Sequence, residues 1–136
     1  MKELEAAYLA GIIDGEGSIT LTRNHTGERR RPLISIASTD IELLEYIKSI
    51  AGGSISSKKN DSPNSHKDSY TLTIKKKAEV FALLISINPY LRISSKKQRA
   101  EFILNNYEKV TVRNGKYSQE ALTLKQKFEE DFLKIK

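Results

Sequence analysis

Apolar positions along this chain change period several times, and each change marks an element. Residues 3–14 read ELEAAYLAGIID, where Leu4, Tyr8, Gly11 and Ile12 fall on one helical stripe beside the small Ala7 and Ala10. The Gly-Glu-Gly at 15–17 predicts the end of that helix. SITLTR (18–23) then alternates, with Ile19 and Leu21 on one side and Ser18, Thr20 and Thr22 on the other, the pattern of a half-buried strand. NHTGERRRP makes a turn with a basic flank. LISIAS (33–38) alternates again, with Ile34 and Ile36 inward, and completes a hairpin.

Thr39 or Asp40 caps a second helix over 40–50, with Ile41, Leu44 and Ile47 on its apolar side. AGGSI breaks it and opens a strand over 54–59. KNDSPNSHKDS is a polar loop, and SYTLTIK (69–75) is a fourth strand with Tyr70, Leu72 and Ile74 on one face. A third helix runs to Asn88-Pro89, a fourth spans 96–109, and a last amphipathic helix spans 119–135. The order α-β-β-α-β-β-α-α-α predicts one α+β domain over 1–136. Its core covers 4–110, with a helical extension from 111 onward.

The helices should cover one face of a single antiparallel sheet and leave the other open. Ser18, Thr20, Thr22, Asn24, Arg31, Ser35, Ser56, Lys58, Thr71 and Thr73 then point away from the core. Any one-sided sheet is polar on its outer face, and a solvated surface explains that much. An antiparallel ribbon of hydroxyls and basic groups can also enter a DNA major groove.

Charge favours the second reading. The net charge is +6. Residues 1–17 carry a net −3, residues 18–99 a net +8 and residues 100–136 a net +1. The surplus therefore sits on the strands and their flanks: Arg23, Arg29, Arg30, Arg31, Lys58, Lys59 and Lys75–Lys77. Clustered Lys and Arg suit phosphates. With no cysteine and two histidines, His25 and His66, in polar stretches, disulfides, thiolate metal sites and a histidine zinc site are not expected. No apolar run is long enough to span a bilayer and no signal-peptide layout is present, so an intracellular protein with no membrane partner is expected. Nothing resembles a nucleotide-phosphate loop, and no small-molecule cofactor is expected.

LAGIIDGEG (9–17) resembles the signature of the LAGLIDADG homing endonucleases, matching it at Leu9, Ala10, Gly11, Ile13, Asp14 and Gly17. Glu16 stands where the family has an acid. SIASTDIELLEYIKSIAGGSI and NPYLRISSKKQRAEFIL follow in the family's order, so the resemblance covers about residues 4–105. It implies an α-β-β-α-β-β-α core with a curved four-stranded antiparallel sheet. It also implies site-specific, Mg²⁺-dependent cleavage of a long, near-palindromic double-stranded DNA site, leaving 3′ overhangs. Only one copy of the signature is present, and in this family one copy implies a homodimer.

Residue roles follow from the same resemblance. Glu16 is the catalytic, metal-binding acid, and the Gly15 carbonyl is a further metal ligand. The dimer would share two or more Mg²⁺ ions at its interface. Two Glu16 carboxylates meeting at a two-fold axis would need such a cation between them. Ala7, Ala10 and Gly11 give the small stripe on which two such helices meet. Asp14 is architectural, a hydrogen-bond acceptor. Asp40 aligns with a family Asp, which puts Ser38, a side chain of shorter reach, in the place of a usual Gln. The family's active-site lysine falls on Lys96, with Lys97 as the alternative. An RNA-binding intron maturase and a non-cutting DNA-binding protein share the fold and are the competing readings. The aromatic residues Tyr90, Phe102, Tyr107, Phe128 and Phe132 fit core or helix-packing positions.

Overall fold

The period-two alternation carries directly into pairing. In the computed structural model, β1 (Gly17–Thr22) and β2 (Arg31–Ser38) form one hairpin, and β3 (Ser54–Lys58) and β4 (Ser69–Ile74) form another. They join through β2 and β4 into an antiparallel sheet of order β1-β2-β4-β3. The helices are α1 (Glu3–Glu16), α2 (Ile41–Ala51), α3 (Lys77–Ile87), α4 (Ser94–Asn106) and α5 (Gln119–Leu133). The structure describes residues 1–58 and 68–136, with Lys58 by its backbone only. Lys59 and His66 lie outside the described residues.

Ile19, Leu21, Ile34, Ile36, Leu72 and Ile74 turn to the helices and are buried. They meet Leu9 and Ile13 of α1, Leu44 and Ile47 of α2, and Val80, Leu83, Leu84 and Ile87 of α3 in one cluster. Each such side chain contributes about 1.5–3 kcal/mol relative to exposure. A shift of one residue in any strand would turn its apolar set to water, which fixes the register. That register puts Ser18 opposite Ser35, Ser35 opposite Thr73 and Thr73 opposite Ser54. Four small hydroxyl side chains therefore form a row across all four strands on the open face.

Two glycines make the reversal from α2 into β3. Gly52 and Gly53 hold φ of 88° and 93°. A Cβ on Gly53 would lie 2.8 Å from the Thr73 carbonyl oxygen, so a side chain is excluded by space as well as by conformation. At the other end of the chain, the Ser118 hydroxyl accepts the Ala121 N–H at 3.1 Å and starts α5. Phe128 and Phe132 of α5 then pack on Phe102 of α4, with ring centroids 5.2 and 6.4 Å apart. Tyr107, Phe128 and Phe132 are buried in the same core, with Tyr90 and Phe102 packed against it, as the sequence suggests.

Several helix ends differ from those expected from the sequence, ends of α1 and α4 among them. Helix α1 continues through Gly15 and Glu16, and α4 begins at Ser94 rather than 96 and ends at Asn106 rather than 109. The longer end of α1 and the early start of α4 meet through contacts between Ile13–Asp14 and Arg92–Lys96.

Candidate functional site

Helix α1 delivers its last residue to the edge of the sheet. Glu16 ends the helix and Gly17 begins β1 with no linker. A Cβ on Gly17 would lie 2.9 Å from Ile13 Cα, so only glycine allows this abrupt passage. The Gly17 N–H closes the helix on the Ile13 carbonyl.

The end of α1 is held from both directions by the chain around α4. Lys96 Nζ donates to the carbonyl oxygens of Ile13 and Asp14, each at 2.7 Å. A cation on these orphan carbonyls is favourable, because they carry the negative end of the helix dipole. In return, Asp14 Oδ2 and Oδ1 accept the backbone N–H groups of Arg92 (2.8 Å) and Ile93 (3.1 Å), just before α4. Asp14 is thus the architectural acceptor expected from the sequence. The exchange extends α1 by a turn fraction and starts α4 early. Arg99 adds a further tie, donating to the Ile19 carbonyl of β1 at 3.0 Å and to Ile135 at 3.1 Å.

Glu16, by contrast, is exposed, and its carboxylate has no hydrogen-bond or ion-pair partner among the described residues. The Gly15 carbonyl lies just beyond the two that Lys96 occupies. No group of three or more His, Cys, Asp or Glu among the described residues could hold a metal ion. One chain therefore offers a partial set of hard oxygen donors.

Helix α1 also presents an outward stripe. Leu4 is 85% exposed and Tyr8 53%, and Ala7, Gly11 and Gly15 are exposed along the same side. Tyr8 stands edge-on to Tyr46 of α2 at 5.9 Å. Ala10 is a correction to the expected interface set. It is fully buried in the chain's own core, because position 10 faces the sheet with Ala6, Leu9 and Ile13.

On the open face, the Ser18 and Ser35 hydroxyls bond each other at 2.7 Å and Thr20 Oγ1 donates to the Leu33 carbonyl at 3.3 Å. Thr22 pairs across from the exposed Arg31, and Ser56 lies opposite Thr71. Ser54, Leu33 and Ala37 occupy open-face positions that the sequence reading did not single out; the register alone reveals them. Asn24 is exposed in the β1–β2 turn. Lys58 ends β3 opposite Ser69. Ser38 Oγ accepts the Asp40 N–H at 3.0 Å, a local tie at the start of α2.

The basic run 29–31 divides. Arg31 belongs to the open face. Arg29 and Arg30 do not: Arg29 pairs with Glu129 of α5 at 3.9 Å, and Arg30 donates to the Leu21 carbonyl at 3.2 Å. The split comes from tertiary partners: β2 begins only at Arg31, and Glu129 of α5 draws the two residues before it away from the open face.

With this geometry in hand, the family is decided by comparison. The LAGLIDADG-like domain matches residues 3–105. This chain belongs to the LAGLIDADG family. Its fold is shared with solved LAGLIDADG homing endonucleases. I-CvuI, in complex with its target in the presence of Ca, superposes with a TM-score of 0.70 at 18% identity, over 98% of this chain and 83% of that one. The homing endonuclease I-TnaI gives 0.63 at 22%, over 96% and 87%. The LAGLIDADG meganuclease I-AabMI, bound to uncleaved DNA, gives 0.66 at 24%, over 91% of this chain and 43% of that one. No curated protein sequence matches the chain significantly.

Proposed function

We propose that this LAGLIDADG chain is a site-specific DNA endonuclease that works as a homodimer. The observation that carries the reading is Glu16: an unpartnered, exposed carboxylate at the end of the signature helix, fixed in place by a backbone that other residues hold still. The solved relatives in complex with DNA support duplex DNA as the partner of the polar, basic sheet face.

The exposed stripe of Leu4, Ala7, Tyr8 and Gly11 is the surface on which two copies of α1 would pack about a two-fold axis. Such packing brings two Glu16 carboxylates together. Mg²⁺ suits this donor set, since it takes one or two carboxylates and completes its shell with water and phosphate oxygens. Glu16 and the Gly15 carbonyl would hold it, and when bound it supplies Lewis acidity to the phosphodiester. The chain's own residues do the rest. The open face, with Ser18, Thr20, Thr22, Ser35, Thr71, Thr73 and Arg31, orients the duplex. Lys96 steadies the end of α1 and keeps its third N–H for a phosphate. Affinity rests largely on phosphate contacts and falls steeply with salt.

The deciding experiment selects cleaved sites from a randomised duplex library with Mg²⁺, beside Glu16→Gln. The expected result is one near-palindromic site, cut with 3′ overhangs by the parent chain and bound but uncut by the variant. A site bound and left intact by both would overturn the nuclease and leave a DNA-binding protein. No selected DNA site would overturn the DNA reading and turn the search to structured intron RNA.

A further inference from the structure

The β1–β2 turn is weakly self-supporting. Residues 23–28 are exposed, and among the described residues the turn has one internal backbone hydrogen bond, from the Glu28 N–H to the His25 carbonyl at 3.2 Å. Its base is gripped from elsewhere. Glu129 of α5 accepts the Arg30 N–H at 3.2 Å and pairs with the Arg29 guanidinium at 3.9 Å. The Arg30 guanidinium crosses the hairpin to the Leu21 carbonyl. Both strands are thereby fastened where they enter the turn.

The grip is a buried one. The Glu129 side chain is 9% exposed, and a carboxylate so placed is costly unless paired. One helical turn before it, Lys125 is 1% exposed. Its ammonium donates to Thr111 Oγ1 at 2.6 Å and lies over the rings of Tyr107 and Phe128, at 4.2 and 5.5 Å. An ordinary helix–sheet contact needs neither buried charge, since Phe128 and Phe132 already dock α5. The helix also lies beyond residues 3–105, the stretch that matches the family.

We propose that Glu129 is a positioning residue: α5 is a strut that latches the β1–β2 turn in the orientation in which it meets the duplex. The latch stands on the geometry; its purpose rests on the DNA reading above. The turn carries Arg23, Asn24 and His25 at the end of the hairpin farthest from Glu16, so its orientation governs binding and site preference rather than the cutting step.

The test replaces the two buried charges by apolar residues of similar size, Lys125→Met with Glu129→Leu, in the full chain. Removing both charges leaves neither ion buried alone, and Arg29, the partner left behind, is exposed enough to be solvated. Amide exchange is followed by NMR, and DNA cutting is measured against DNA concentration. The expected result is a folded variant with a Tm within a few degrees of the parent's, with exchange at the two hydrogen-bonded amides of the turn and its base, Glu28 and Arg30, faster by about tenfold. Ile34 and Leu72 amides stay protected. Half-saturation by DNA rises at least about fivefold while the saturated cutting rate holds, and selectivity broadens at the outer positions of the site. Unchanged turn exchange overturns the latch, and a loosened turn with unchanged half-saturation and selectivity overturns its purpose. If the double variant does not fold, Glu129→Gln, which keeps an acceptor for Arg30, must shift both readouts the same way by a smaller factor; no shift overturns the proposal. Should the parent chain neither bind nor cut DNA, the nuclease reading fails while the exchange measurement still decides the latch.

Discussion

The β1–β2 hairpin has two ends, and a carboxylate stands at each. At the Gly17 end Glu16 is exposed and unpartnered, while its neighbours Asp14 and Lys96 lock the backbone beneath it. At the turn end Glu129 is buried and fully engaged, and it is itself the lock. In the function proposed above, Glu16 meets something outside the chain, and it is left unsatisfied on a rigid base. A charge intended to hold geometry is satisfied inside. The same residue type serves opposite purposes, and burial with partners tells them apart.

The comparison breaks most visibly at Glu16. Glu16→Gln should slow cutting at least about a hundredfold while leaving duplex affinity within a small factor, read by single-turnover cleavage and equilibrium binding on one duplex. Equal loss of both would make Glu16 a binding residue. Next comes the base beneath it. Asp14→Ala returns two exposed N–H groups to water and should cost about 1 kcal/mol, measured by denaturant unfolding. A cost within error would show that Lys96 alone holds the α1 end.

The other end is sharpened by pH. Burial pushes the Lys125 ammonium down to about 8 from 10.5, while Glu129 pulls it partly back up and Arg29 lowers it further. A folded-state value below the unfolded one means the unfolded chain holds more protons between the two. Stability should therefore rise as pH climbs from about 8 toward 10, by an amount on the order of 1–3 kcal/mol. Lys125→Met should flatten that rise, followed by Tm against pH. The smallest effect belongs to the open face. Thr20→Val loses one weak bond to Leu33, and should move stability by less than about 1 kcal/mol while weakening duplex binding a few-fold. A larger stability loss would place Thr20 among the structural residues.

Much of this was legible in the chain because it is local. Strict alternation at 18–22 and 33–38 set strands and faces. The stripe of Leu4, Tyr8 and Gly11 read along α1 is its outward side, while Leu9 and Ile13 line the buried one. The signature made Glu16 visible, and its placement at the α1–β1 junction follows from the glycine after it. What stayed hidden is long-range. Gly-Glu-Gly reads as a helix stop until Lys96, 80 residues on, caps the carbonyls before it. Ala10 and Ala7 are the same residue type, and a rotation of the helix by one position separates core from surface. Arg29 to Arg31 read as one basic flank; only the partner on α5 separates them. The amphipathic pattern of 119–135 does not single out Lys125 or Glu129, since nothing local says that Tyr107 and the hairpin will close over them.

The row formed by Ser18, Ser35, Thr73 and Ser54 has one more property. Each hydroxyl is a rotor that can give or receive a proton contact, as the Ser18–Ser35 pair illustrates, where either oxygen can be the donor. A line of such groups has no built-in polarity and takes its sense from whatever it touches. Where a guanidinium or a carboxamide would insist on one arrangement of the partner, this strip conforms to several. For the DNA contact proposed above, this means tolerance at the expense of discrimination: a target that drifts by single substitutions along that strip would still be held.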